Sequence, residues 1–397
     1  MRRWVLLTAA MLLCAVASGS SMPAHTASAG GRDVPVQTPA EPAPVGPSAE
    51  AARLVEQMTP AEQASSIVMG HIPTADPAKL ADYMGTTDLG GFILMGANVP
   101  NSEAELRAVT AALASSADVP PLIAIDQEGG DVSRLPWDDF ASSIALKERP
   151  VAQTAAAFAA RASLVARAGA NVNFGVIADT TGDASSFIYR RSLGADPASA
   201  AERVAAAVTA EEPLVASTVK HFPGHGAAPG DSHQLIPSTD ESLAEWRRTD
   251  ALPFEAGVEA GASLLMFGHL AYTAVDEEPA SLSSRWHEIA RDELGFGGVI
   301  VTDDLGMLIS TGLPQYADPV DNAVSAVAAG TDLVLMVVHS TPSTAGQMAT
   351  GIAEAVDEGT LPADRLQEAA ERVMTLRLEL AAAGSGWAPC AECEPAS

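Results

Sequence analysis

Positive charge is scarce in this chain: 22 Lys and Arg stand against 50 Asp and Glu in 397 residues, a formal net charge of -28 at pH 7. A phosphate backbone would be repelled, and no Lys/Arg-rich run marks a basic groove, so no nucleic-acid partner is expected. Acidity of this size reports on solubility, and on a saline or extracellular setting, rather than on a ligand. Cysteine is also rare, with 3 residues, Cys14, Cys390 and Cys393. No second pair completes a zinc site and no βαβ pattern surrounds Cys390-Ala-Glu-Cys393, so this polar tail, residues 385–397, reads as a structural or neutral segment able to close a small disulfide. Long apolar runs are missing except at the start, where Trp4 to Ala17 follows Arg2 and Arg3 and ends in Ala15-Val16-Ala17. The run is short for a spanning helix and has the order of an export signal, residues 1–17. Cys14 is the alternative, a lipidation site, although Leu13 stands where a small residue is expected. Residues 18–47, rich in Ala, Pro, Ser and Gly without periodicity, read as a disordered tether. The expectation is an exported monomer, extracellular or envelope-associated, with no membrane span once the signal is removed.

What is present is an apolar fraction of 47%, that of a globular protein. Thr59-Pro60-Ala61-Glu62 is a capping box with proline at the first helical position, which predicts a helix start. From there short apolar runs alternate with longer segments of helical period. The strand candidates are 66–68, 91–95, 122–125, 172–177, 215–219, 264–267, 299–302 and 333–337. Residues 361–383 carry Leu366, Ala370, Val373, Leu376 or Arg377, and Leu380 on one stripe, a closing amphipathic helix. Eight strands with intervening helices suit a closed α/β barrel, (β/α)8, over residues 48–384; a doubly wound sheet is the alternative. Barrel enzymes build their sites at the C-terminal ends of strands. Those ends carry, in order, His71, Gly96, Asp126-Gln127-Glu128, Asp179, Lys220-His221, His269, Asp303-Asp304 and His339.

Three constellations bear chemistry. Lys220 to Pro237, KHFPGHGAAPGDSHQLIP, admits a metal cage, a plain loop or an acid/base device. His221, His225, Asp231 and His233 are suitable ligand types, but their spacings match no compact zinc pattern and Lys220 disfavours a cation. As a device, Asp231 stands two residues from His233, where a carboxylate orients an imidazole and stabilises its protonated form. Gly224, Gly226 and Gly230 would let such a loop move. In GGVIVTDDLGM, an Asp at the mouth of the seventh strand suits a nucleophile or electrostatic stabiliser; alternation sends Asp303 and Asp304 to different sides without saying which faces the site. In DQEGGDVSR, Asp126 and Arg134 offer an acceptor and a cation suited to sugar hydroxyls, or a surface pair.

DQEGG, YRRSLG, KHFPGHG followed by DSH, GFGGVIVTDDLGM and AGTDLVLM, in that order between Met58 and Met374, resemble glycoside hydrolase family 3 and within it the β-N-acetylhexosaminidases that act on peptidoglycan fragments. The resemblance implies a (β/α)8 barrel and a retaining mechanism with no metal and no organic cofactor. It makes Asp303 the nucleophile, His233 the proton donor and later the base, and Asp231 its dyad partner. Asp126, Arg134, Arg191, Lys220 and His221 match sugar-binding positions. Most retaining glycosidases use two carboxyl groups, and here the imidazole would fill the second role.

Departures from the family pattern bear on the support of the site. Ala227-Ala228 replace the usual Asp-Thr, removing two polar contacts from the loop; Asp131 stands for an Arg; Gly175-Val176 replace Ala-Pro; Leu193 replaces Phe. The additional C-terminal α/β domain of many relatives is not expected here. The reading is a retaining exo-β-N-acetylglucosaminidase of cell-wall fragments; an exo-β-glucosidase of the same family and a catalytically silent muropeptide-binding envelope protein are the alternatives.

Overall fold

The capping box opens a helix as its spacing predicts. In this computed structural model, which describes residues 46–383, Glu62 N–H donates to the Thr59 hydroxyl and Thr59 N–H donates to Glu62 Oε2 at 2.7 Å, at the head of the helix Pro60–Ser66. Eight parallel strands follow: Val68–Gly70 (β1), Gly91–Leu94 (β2), Leu122–Ile125 (β3), Val172–Ile177 (β4), Ala216–Phe222 (β5), Leu264–Phe267 (β6), Val299–Thr302 (β7) and Val334–Leu335 (β8). They pair in chain order from β1 to β7, with β8 returning to β1 through Val68–Val334 and Met69–Leu335. A single parallel bridge, Val301–Leu333, joins β7 to β8 and completes the ring. The fold is the (β/α)8 barrel, not the doubly wound sheet.

Four strands have the expected limits. β1 begins two residues later than expected, because Ser66 is still in the preceding helix. β5 runs on to Phe222, so Lys220 and His221 lie within the strand rather than after it. β8 is cut to Val334–Leu335, shorter than the apolar run that announced it. A helix that the sequence did not announce, Pro47–Val55, starts one residue inside the stretch assigned to the tether and buries Ala51 and Val55. The closing helix, Ala363–Ala383, buries Leu366, Ala370, Val373 and Leu376 as its stripe predicts. Arg377 is buried with them, where its guanidinium donates to the carbonyls of Val119 and Pro120.

Among the described residues no helix is long and apolar enough to cross a membrane. The expected signal, Cys14, nearly all of the tether, Cys390 and Cys393 lie outside them.

Behind β5 and β6 an aromatic cluster of Phe222, Trp246, Phe254, Phe267, Tyr272 and Trp286 is fully buried. It serves the site directly. Trp246 Nε1 donates to Pro223 O at 2.7 Å and the Tyr272 hydroxyl to Gly224 O at 2.8 Å, so two large buried rings hold the backbone leaving β5.

Candidate active site

At the C-terminal mouth of the barrel, Asp126, Arg134, Arg191, Lys220, His221, His233 and Asp303 line one cavity of about 200 Å³. Seven of the eight residues singled out from the sequence therefore meet in one place. The eighth, Asp231, reaches the cavity through His233.

The charged wall is assembled from three strands. Asp126 follows β3, and the antiparallel hairpin Gln127–Gly129 with Val132–Ser133 then carries Glu128. Gly129, with φ 82°, turns there because a Cβ would fall 2.0 Å from Arg161 Nη2. Arg161 in turn donates to Asp138 Oδ2 at 2.7 Å, as does Gln127 Nε2 at 2.6 Å, which fixes the hairpin from beneath. From β5, Lys220 Nζ lies 2.9 Å from Asp126 Oδ1 and 3.0 Å from Glu128 Oε1. Arg134 Nη2 donates to Asp126 Oδ2 at 3.1 Å. Arg191 grips Glu128 through two bonds of 2.7 and 2.9 Å.

These groups tune one another. Burial raises the Asp126 carboxyl, but Lys220 and Arg134 outweigh it and hold it at about 2. Glu128 is likewise pushed up by burial and brought net below its ordinary value by Arg191 and Lys220. Burial alone would lower Lys220; the two carboxylates raise it above its ordinary value. The cluster is thus fully ionised, with cations fixed at known positions for polar ligand groups.

His221 is held by Asp179 at the end of β4. Its Nδ1–H donates to Asp179 Oδ2 at 2.6 Å, which leaves Nε2 toward Arg191 at 3.4 Å. The same carboxylate accepts from the His225 backbone N–H at 2.6 Å.

The Asp pair divides cleanly. Asp304 accepts backbone N–H groups from Gly306, Val337 and Val338 at 2.7–2.9 Å, a bracing role between β7 and the chain after β8. Asp303 accepts from the Asp304 N–H at 2.8 Å. Burial raises the Asp303 carboxyl, and His221, His269, that N–H and Lys220 bring it below its ordinary value, so it is an anion at neutral pH.

The dyad sits on the loop after β5. Asp231 Oδ1 accepts from His233 Nδ1 at 2.6 Å and from its backbone N–H at 3.1 Å. Both side chains are largely open to solvent, at 59% for His233 and 38% for Asp231. At the base of the loop Gly226 presses on Thr180, whose carbonyl oxygen a Cβ would meet at 1.7 Å. Ala228 is buried in the hydrophobic cluster that contains the aromatic rings behind β5 and β6, and Ala227 packs against that cluster. The two alanines replace polar contacts with apolar anchorage, so the loop base is not left unsteadied. Asp131, the other charge departure, forms a bidentate pair with Arg190 at 2.7 and 3.1 Å on the exposed rim, and neither residue lines the cavity.

Among the described residues no three His, Cys, Asp or Glu side chains are grouped to hold a metal ion. Of the other strand-end residues, His269 is tied to Ser281 and Asp304 O, His71 is turned to Ile93 O, and His339 meets Ser310 on the surface. Glu128 and Asp179 were visible in the sequence only as polar strand exits; their partners lie 42 to 92 positions away, beyond any local signal. Phe187, which also lines the cavity, carried no signal at all.

Residues 60–376 match the family described as glycosyl hydrolase family 3 N terminal domain. A β-hexosaminidase of Pseudomonas aeruginosa is 36% identical over 256 residues, covering 63% of this chain and 75% of that protein. Among solved structures, a family 3 β-N-acetylglucosaminidase from Paenibacillus superposes with a TM-score of 0.76 at 28% identity, over 82% of this chain; the chain spans 63% of that protein. A β-N-acetylhexosaminidase from Beutenbergia cavernae gives 0.69 at 26% identity, over 83% of this chain and 99% of that one.

Proposed function

The chain belongs to glycosyl hydrolase family 3, and we propose that it is an exo-β-N-acetylglucosaminidase that works through a covalent glycosyl-enzyme. The observation that carries this reading is the meeting in one cavity of an ionised carboxylate, Asp303, an imidazole with a carboxylate partner, His233, and the ionic cluster of Asp126, Arg134, Arg191 and Lys220. The names of the relatives support the same activity.

In the proposed sequence Asp303 attacks the anomeric carbon while His233 gives its proton to the departing glycosidic oxygen. Asp231 holds Nδ1–H, which leaves Nε2 as the nitrogen that exchanges the proton. Water, deprotonated by the now neutral His233, then breaks the glycosyl-ester bond and restores both groups. Two roles usually given to two carboxyl groups are so divided between a carboxylate and an imidazole. Lys220, His221, Arg134, Arg191 and Asp126 bind the hydroxyls and acetamido group of the sugar. The substrate is proposed to be β-linked N-acetylglucosamine at the non-reducing end of peptidoglycan fragments, met outside the cytoplasm after export directed by residues 1–17; support for export is the basic, apolar and small-residue order of that stretch.

Hydrolysis of a chromogenic β-N-acetylglucosaminide by the wild type, Asp303→Ala and His233→Ala tests the reading. Loss in both variants is expected, with azide restoring turnover in Asp303→Ala by taking the nucleophile's place. Undiminished hydrolysis by Asp303→Ala, or better turnover of the β-glucoside than of the N-acetylglucosaminide, would overturn it.

A further inference from the structure

The dyad lacks internal means of holding its place. Asp231 and His233 are two residues apart with exposed side chains on one loop, whose Ser232 between them is buried against the cavity, so the bond between them sets the tautomer of the imidazole but not the position of its ring relative to Asp303. The ring of His233 meets the barrel side through Phe187, edge to face, with centroids 6.5 Å apart and planes at 85°. Phe187 belongs to the loop after β4 and is itself braced from behind. Its ring packs at 81° and 4.7 Å against His225, which is buried to 2% exposure. The Arg191 guanidinium stands 6.0 Å from the ring centre. His225 is anchored in turn, its backbone N–H on Asp179 at 2.6 Å, the carboxylate that also holds His221. A continuous set of contacts therefore runs from the end of β4 through Asp179, His225 and Phe187 to His233. Both ring contacts of Phe187 lie in the separation range of edge-to-face pairs.

The geometry points to Phe187 as a positioning residue for proton transfer: its ring is the rest against which His233 is set at the correct place over the scissile bond. It touches no reacting atom in this role and acts through His233. The inference rests on His233 being the proton donor.

A pair of aryl β-N-acetylglucosaminides of similar size separates this role from the alternatives. A 2,4-dinitrophenyl leaving group departs as a stable anion and needs little proton assistance; an unsubstituted phenyl leaving group needs much. kcat/KM reports the step up to glycosyl transfer. In Phe187→Ala, the ratio of kcat/KM for the dinitrophenyl over the phenyl substrate should rise roughly tenfold above that of the wild type, a part of the 100-fold or more that general acid catalysis supplies. Phe187→Tyr keeps the ring and should return the ratio to the wild-type value. His233→Ala provides the full-scale ratio. A ratio in Phe187→Ala equal to that of the wild type, with both substrates slowed alike, would make Phe187 a wall of the binding site or a packing residue and overturn the inference. An unchanged ratio in His233→Ala would instead remove the assignment of the proton donor, so the two failures are distinguishable. Thermal unfolding of each variant identifies one that has lost its fold, and Phe187→Leu, which keeps bulk without an aromatic edge, then replaces Phe187→Ala with the same expected direction and the same overturning result.

Discussion

Glu128 and Arg191 meet through both carboxylate oxygens, at 2.7 and 2.9 Å, with the Glu128 side chain 1% exposed. The Lys220 ammonium lies against the same carboxylate at 3.0 Å, so one acidic side chain holds two of the cations proposed to bind sugar. Truncating one partner of a buried pair leaves uncompensated charge, which costs about 3–5 kcal/mol. Glu128→Ala is therefore expected to lower Tm strongly, and Glu128→Gln, which keeps the shape, to fold but lose kcat/KM by roughly tenfold through a raised KM. Steady-state kinetics on Glu128→Gln decides: an unchanged KM would show that Arg191 and Lys220 hold their positions without it.

The two adjacent aspartates should separate function from stability. Asp303→Asn is expected to abolish turnover while Tm stays close to that of the wild type. Asp304→Ala strands three backbone N–H groups and should cost on the order of 3 kcal/mol, read by chemical denaturation. A stable Asp304→Ala would mean that the strand ends are braced by something other than this carboxylate.

Glu211 gives a pH dependence with a definite sign. Burial pushes its carboxyl up to about 8, against the opposing effects of the Asn173 amide, which donates at 2.7 Å, and of Arg161. In the unfolded chain the same group titrates near about 4.3. Its stabilising contribution is therefore fully present below that value and is lost as pH rises through about 8. Glu211→Gln has no proton to lose. Its Tm should fall less steeply than that of the wild type between about pH 5 and pH 9; parallel slopes in the two proteins would assign the dependence to another group.

Restoring the family's polar pair by Ala227→Asp with Ala228→Thr should lower Tm rather than steady the loop, because Ala228 is buried in a hydrophobic cluster, where an added polar group costs free energy. Asp131→Arg, on the exposed rim, should leave Tm unmoved within error, since exposed ion pairs contribute little. Differential scanning fluorimetry of both variants checks the pair of expectations.

The barrel was legible because parallel strands buried on both faces read as continuous apolar runs, and those of β3, β4, β6 and β7 have no competing helix signal at either end. β1 was misplaced because Ser66 and Ile67 suit a strand as well as the helix end they form. The candidate site was legible where residues cluster in the chain, as Asp231 with His233 and Lys220 with His221 do. The choice within Asp303-Asp304 was open on alternation alone, and the backbone donors that occupy Asp304 come partly from Val337 and Val338, more than thirty positions later. The role of Asp179, seen only as a polar strand exit, and Phe187 altogether escaped for the same reason. Each acts through partners that only chain closure brings near.

That closure has its thinnest point at the bridge Val301–Leu333. Elsewhere neighbouring strands share two to four ladder positions; between β7 and β8 the one bridge is supplemented by the Leu305 N–H, which donates to Leu335 O at 2.9 Å, by the Asp304 and Asp332 carboxylates, and by Thr302 Oγ1, which accepts the Leu335 N–H at 3.1 Å. Asp303 lies between Thr302 and Asp304, which both bond across this seam, while its own N–H donates to Phe267 O of β6. On gentle warming, separation of β7 from β8 would displace the proposed nucleophile before the aromatic cluster behind β5 and β6 loosened, so inactivation should run ahead of the loss of tryptophan burial.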